Sequence, residues 1–312
     1  MISIILSVAQ TALMIALAPL FTGILRKTKA RMQHMVGISI LQPYRDIAKL
    51  FRKDETVSES SSWLFRFVPY VCFGSMVLLS LMTPFIFAET AAPYGDLIAM
   101  VYILFLYRIM MVLGGLEGGS LFGGMGSSRE MMMSVLIEPS LLLSLTALAV
   151  FTGGSTVIGD IPVEIIGMGA IVLAPALILA ASSFFITLLA ENSRLPFDNP
   201  ATHLELTMVH EGMLIEYSGR GLGLMDLSSM MRLMIFSSLL CTLFFPWGIS
   251  VTDSFADILV GTAAILAKIL FVTLAIALIE SFLAKYRLFR LPNLLTASFA
   301  LSLLAMISLY IL

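Results

Sequence analysis

Eight stretches of roughly twenty residues, each almost free of charge, leave this chain only one class of fold. They cover about 3–25, 68–88, 96–114, 131–152, 166–190, 229–248, 255–283 and 292–311. A helix needs about 20 mostly apolar residues to cross the hydrocarbon core of a bilayer. Backbone in lipid must satisfy its own hydrogen bonds, so only helices and closed barrels span. Barrel strands would alternate apolar with polar residues, and these runs do not alternate. The expectation is an all-α, polytopic membrane protein, one integral domain over 1–312 with about eight transmembrane helices. The charge content agrees: 12% of the residues are charged, against about 25% in soluble domains. The first apolar run has no basic segment before it and is too long for a signal-peptide core, so it reads as a retained helix.

The charges that remain fix an orientation. Arg26, Lys27, Lys29, Arg31, Arg45, Lys49, Arg52, Lys53 and Arg66 follow the first run, and Arg129 follows the third. Arg194, Arg220 and Arg232 follow the fifth; Lys285, Arg287 and Arg290 follow the seventh. The other connections hold Glu89, Asp96, Asp160, Glu164, Asp253 and Asp257, with no Lys or Arg. Basic loops stay cytoplasmic, so both termini are expected on the outer side. The basic residues border spans instead of covering a soluble face, so nucleic acid is not an expected partner.

Two segments on the basic side are long. In 26–67, Leu41, Tyr44, Ile47, Ala48, Leu50 and Phe51 recur at helical spacing, with Asp46, Lys49, Arg52 and Lys53 mainly opposite. That predicts an amphipathic helix, lying at the interface or docking a soluble partner. The second, 191–228, carries Glu191, Asp198, Glu205, Glu211, Glu216 and Asp226 against Arg194 and Arg220. Pro196 and Pro200 should end any helix continuing from the fifth span. Thr202 with Glu205 three residues on predicts a capped helix through about Met213. Gly219, Gly221 and Gly223 then predict a turn.

Charges inside spans need a partner or a function, because each costs about 2.5–3.5 kcal/mol at a helix centre. The candidates are Arg108 in the third span, Glu130 and Glu138 in the fourth, Glu191 at the end of the fifth, and Lys268 and Glu280 in the seventh. Carboxylates and a lysine in such places suit either a proton path or structural ion pairs. Other chemistries fail. His210-Glu211 starts a zinc-protease pattern that Leu214 breaks, and the glycine-rich segment at 114–130 has no Gly-Lys-Ser/Thr. Two cysteines, Cys72 and Cys241, lie in apolar runs and cannot build a four-cysteine iron–sulfur or zinc site; they read as small buried hydrophobes.

Three blocks carry a resemblance: ILQPYRDIAKLFRKD, ending at Asp54 and read with Arg26 and Arg31 before it; GGSLFGGMGSSREMMMSVLIEP at 118–139; and ENSRLPFDNPATHLELTMVHEGMLIEYSG at 191–219. The chain resembles the eight-helix core membrane subunit shared by respiratory complex I and the group 4 membrane-bound hydrogenases. ILQPYRD and THLELTMVHE look like the hydrogenase-4 and formate hydrogenlyase branch, whereas Gly37-Ile38-Ser39 stands where Gly-Pro often occurs. The resemblance implies a non-catalytic membrane anchor of an oxidoreductase complex in a prokaryotic inner membrane, coupling redox chemistry to ion translocation. It implies no cofactor on this chain. Iron–sulfur clusters, with or without a nickel–iron site, would sit in a hydrogenase-like large subunit and an iron–sulfur small subunit docked on the cytoplasmic side. Antiporter-like membrane subunits would be neighbours.

By the same resemblance, Arg129, Glu138, Glu191, Arg194, Asp198, Glu205, Glu211, Glu216 and Tyr217 match charged-motif positions, and Asp46 and Lys49 match the interfacial block. Alternatives stay open: a complex I subunit touching quinone, a free-standing secondary transporter, or an anchor without ion conduction. No internal repeat or paired broken helices favour the transporter.

Overall fold

The computed structural model describes residues 2–58, 61–86, 95–168, 174–198, 208–248 and 255–311. Helix α1 (Ile2–Met32) is followed by the short α2 (Gln42–Phe51), then α3 (Trp63–Met82), α4 (Leu97–Glu117) and α5 (Leu121–Phe151). After these come α6 (Asp160–Met168), α7 (Pro175–Glu191), the one-turn α8 (His210–Leu214) and α9 (Gly219–Leu239), which continues as a π-helical turn, Leu240–Phe244. Then α10 (Phe255–Phe282) and α11 (Leu291–Ile311) complete the chain. Among the described residues, seven helices are long and apolar enough to cross a membrane, and Pro175–Glu191 is a shorter apolar helix. The chain is an all-α, multi-pass membrane protein.

Side chains begin several helices. Ser62, Asp96 and Ser120 accept hydrogen bonds from the backbone N–H of Leu64, Ile98 and Gly123, starting α3, α4 and α5; these are ordinary N-caps. Left-handed residues end others. At α1, His34 takes φ 58°, while its N–H donates to Arg31 O and that of Met35 to Ala30 O. At α7, Ser193 takes φ 49°, with its N–H on Ala190 O and that of Arg194 on Leu189 O. This paired arrangement closes a helix C-terminus.

Helix α9 is the centre of the bundle: 89% of its spanning window is buried, against 28–50% for the other spans. It packs against α1, α3 and α2, while α11, α7 and α5 pack on one another. The small and polar residues of α9, Ser228, Arg232, Ser237 and Ser238 among them, are buried with its apolar ones. The amphipathic α2 lies across α9 and α1 with Pro43 buried, and Tyr44 donates to the Ala16 carbonyl.

Three boundaries differ from the expectation. The fourth and sixth spans begin at Leu121 and Gly219, not near 131 and 229, because the glycine-rich segments before them are helical. Gly219, Gly221 and Gly223 are the first turns of α9, not a free turn. Gly219 has φ +51°, and a Cβ there would lie 2.6 Å from Asp54 O. The expected fifth span, 166–190, is not one helix: Ala174 is non-helical (φ −56°, ψ 136°), and α7 starts afresh at Pro175, where a missing N–H is harmless. The predicted helix from Thr202 falls largely outside the described residues; only α8 and the residues just before it are seen.

Candidate functional site: a charged network around the end of α7

The α4–α5 contact brings the first cluster together. Arg108 projects from α4 and is 4% exposed. Its Nη1 lies 2.8 Å from Glu138 Oε1 and its Nε 3.6 Å from Glu130 Oε1, both on α5. Its Nη2 pairs with Glu191, the last residue of α7. Close approach of the helix ends permits this: Gly115 of α4 has no room for a side chain, since a Cβ would sit 2.6 Å from Ser127 Oγ of α5. One guanidinium thus serves three carboxylates from two other helices.

The turn that closes α7 then reaches two further clusters. Arg194 Nη1 lies 3.4 Å from Glu280 of α10, whose other oxygen meets Lys29 of α1 at 3.0 Å. Asp198 pairs with Lys285 and accepts from the His210 N–H at 3.4 Å. Successive charges in ENSRLPFD therefore point to three places: Glu191 to Arg108 of α4, Arg194 to Glu280 of α10, Asp198 to the segment after α10 and to α8. The left-handed Ser193 and the turn accepted by Arg194 O, from the N–H of Phe197 and Asp198, set these directions.

Around this hub, Arg129 donates to Met208 O at 3.1 Å, tying α5 to the segment before α8. Glu211 is half-buried; burial raises its carboxyl to about 7, Asp226 and Asp198 add to the rise, and Arg26 and Arg194 oppose it. Burial, with Arg232 and Arg194 nearby, pushes the His210 imidazole down to about 3, so it is neutral. Tyr217 stacks on Phe65 with ring centroids 4.1 Å apart, and burial raises its hydroxyl above its ordinary value. Glu216 lies against Gly118 at the end of α4.

The other expected residues stand apart. Lys268 has no carboxylate within ion-pair distance among the described residues; its Nζ donates to Phe245 O at 2.7 Å. It does not join the carboxylates, because α10 carries it toward the end of α9 opposite the network. Asp46 accepts from Gln42 of its own helix at 2.8 Å. Arg26, Arg31 and Lys49 are exposed. Glu205 lies outside the described residues.

The sequence reading missed four members. Lys29 and Lys285 were counted only as loop charges, yet they neutralise Glu280 and Asp198. His210 carries no sequence signal beyond a broken metal motif. Arg232 counts in the sequence among the basic residues after the fifth run, although it falls inside the run 229–248; it is 2% exposed inside α9, with its guanidinium 5.1 Å from the Tyr107 ring centroid. Its Nε and Nη2 have no hydrogen-bond partner among the described residues. Among the described residues, no group of three or more His, Cys, Asp and Glu could hold a metal ion, and Cys72 and Cys241 are free and buried.

Comparison with known proteins gives this arrangement a family. The sequence model of the family described as NADH dehydrogenase matches residues 4–311. Hydrogenase-4 component C of Escherichia coli (strain K12) is 36% identical over 306 residues, covering 97% of this chain and 94% of that protein. Formate hydrogenlyase subunit 4 of the same strain is 33% identical over 308 residues, covering 98% and 99%. Among solved structures, a chain of the membrane-bound sulfane sulfur reductase, an archaeal respiratory membrane complex, superposes with a TM-score of 0.84 at 20% identity, covering 98% of this chain and 99% of that one; this likeness speaks for the fold alone. The chain belongs to the NADH dehydrogenase family, as a membrane subunit related to those of hydrogenase-4 and formate hydrogenlyase.

Proposed function

We propose that this chain anchors a peripheral redox arm to the membrane and couples its chemistry to ion translocation in a hydrogenase-4-like, complex I-related assembly. The observation that carries this reading is the turn at the end of α7. Within eight residues it links a buried cluster of one guanidinium and three carboxylates to two further ion pairs near the basic face. With carboxylates in excess over the guanidinium, protons are natural counter-ions for the cluster. A redox event on the docked arm would act first on the 191–217 segment. Glu191 would pass the change to Arg108, and Arg108 to Glu130 and Glu138, because a shared guanidinium cannot change one ion pair without affecting the others.

The basic side is the cytoplasmic one in this reading, with both termini outside. The amphipathic α2, with Phe51 and the preceding Leu41 exposed, belongs to the docking face for a hydrogenase-like large subunit and an iron–sulfur small subunit. The redox centres are theirs. Antiporter-like subunits carry ions laterally.

Purification from native membranes tests the assignment. The expected result is a stable complex in which iron–sulfur subunits accompany this chain. A chain that is stable alone and moves a solute in vesicles would instead revive the transporter reading.

A further inference from the structure

Far from the charged network, the π-helical end of α9, α7 and α10 enclose a crevice of about 750 Å³. Its walls are almost wholly apolar, with Ile178, Phe185, Leu240, Phe271 and Val272 among them. Two residues break the pattern: Lys268 and Trp247 also line it. Lys268 gives one N–H to Phe245 O, just beyond the last helical turn of α9. That bond places a cation at the negative end of a helix, which accounts for one of its three donors. Its ion-pairing capacity is unused among the described residues. A lysine within a span normally meets a counter-charge or reaches the interface. A side chain on α10 leans toward that helix's N-terminus, which directs the ammonium to the membrane face at which α9 ends. Phe245 and Trp247 form an edge-on aromatic pair with centroids 5.9 Å apart, and such rings sit at headgroup level.

A long apolar slot with one cation and an indole at one end matches an amphiphile with an anionic head. We infer that this crevice binds an anionic phospholipid, its phosphate on Lys268 and an acyl chain along α7 and α10. Charge complementarity selects the occupant: a zwitterionic lipid brings a phosphate already compensated by its own cation, whereas an anionic headgroup brings a net charge to an ammonium that has no carboxylate partner among the described residues. The site is separate from the coupling path and does not depend on it.

The assembled complex, extracted in mild detergent and depleted of lipid, is offered phosphatidylglycerol, phosphatidylcholine or inorganic phosphate, and retained lipid is read by native mass spectrometry. Wild type should prefer phosphatidylglycerol over phosphatidylcholine by about fivefold, and inorganic phosphate should not displace it. Lys268→Gln should abolish the preference. Ala275→Trp, which fills the slot but keeps the ammonium, should lose the lipid itself. A photo-crosslinking residue at Phe271, which is 73% exposed, should label lipid. Equal retention by wild type and both variants overturns the site. So does a Phe271 crosslink to a neighbouring membrane subunit, which would make the crevice a helix-docking groove, or displacement by free phosphate. If Lys268→Gln fails to assemble, Ala275→Trp and the crosslink decide.

Discussion

Arg108 is the residue on which the interior charge depends. Its three carboxylate partners come from two helices, so its loss strands them together in a buried place. Breaking a buried pair from one side costs about 3–5 kcal/mol. Arg108→Met should therefore lower the thermal stability of the complex sharply, whereas Glu138→Gln, at the half-buried edge of the cluster, should lower it far less. Equal melting temperatures for Arg108→Met and wild type would contradict this. Glu211 makes a separate prediction about pH. Its carboxyl rises from 4.5 to about 7 in the folded protein, so folding favours its protonated form. That contribution is complete below about 4.5 and lost as pH rises through about 7. Melting curves between those limits should show wild type losing stability with pH, and Glu211→Gln should flatten that slope. Arg108 and Glu138 were legible in the sequence because they interrupt apolar runs. Lys268 was legible as an intramembrane charge but not in its setting, because its partner is a backbone carbonyl and leaves no mark in the sequence.

At the scale of elements, the helices were legible and several of their ends were not. Glycine is a poor helix former in water, so the glycines before the fourth and sixth spans suggested loops. In a membrane bundle small residues let helices approach closely, and Gly115 against Ser127 shows that use. Gly219 has a different reason, its positive φ beside Asp54. Gly219→Ala should cost about 1–2 kcal/mol from the left-handed backbone, plus the clash, and appear as a lower yield of assembled complex. The turn after α7 offers a sharper test of the hub. Ser193 is left-handed, so Ser193→Gly should keep the geometry. Ser193→Val, branched and ill-suited to that region, should disturb Glu191, Arg194 and Asp198 together. Ion uptake per turnover in reconstituted complex is the readout: near wild type for Ser193→Gly, reduced for Ser193→Val. Equal values would remove the turn from the coupling path. The break between α6 and α7 was hidden by a continuous apolar run; only Pro175 hinted at it.

For the whole molecule, hydropathy and charge placement carried the sequence reading to an all-α membrane protein, and three motif blocks carried it to the family. How the charges pair depends on which helices become neighbours. Glu280 and Lys29 are 251 positions apart in the chain, and no spacing rule joins them. Ion pairs tie the turn 191–198 to α4 and α10, and through Glu280 to α1. The most direct test compares ion uptake with redox turnover in proteoliposomes holding the assembled complex, for wild type, Glu191→Gln, Glu138→Gln and Glu205→Gln. The account predicts that redox turnover persists while ion uptake per turnover falls severalfold in the Glu191 and Glu138 variants, and Glu205→Gln tests whether the proposed path includes that carboxylate. Wild-type uptake per turnover in Glu191→Gln and Glu138→Gln would contradict a carboxylate path and leave the chain an anchor.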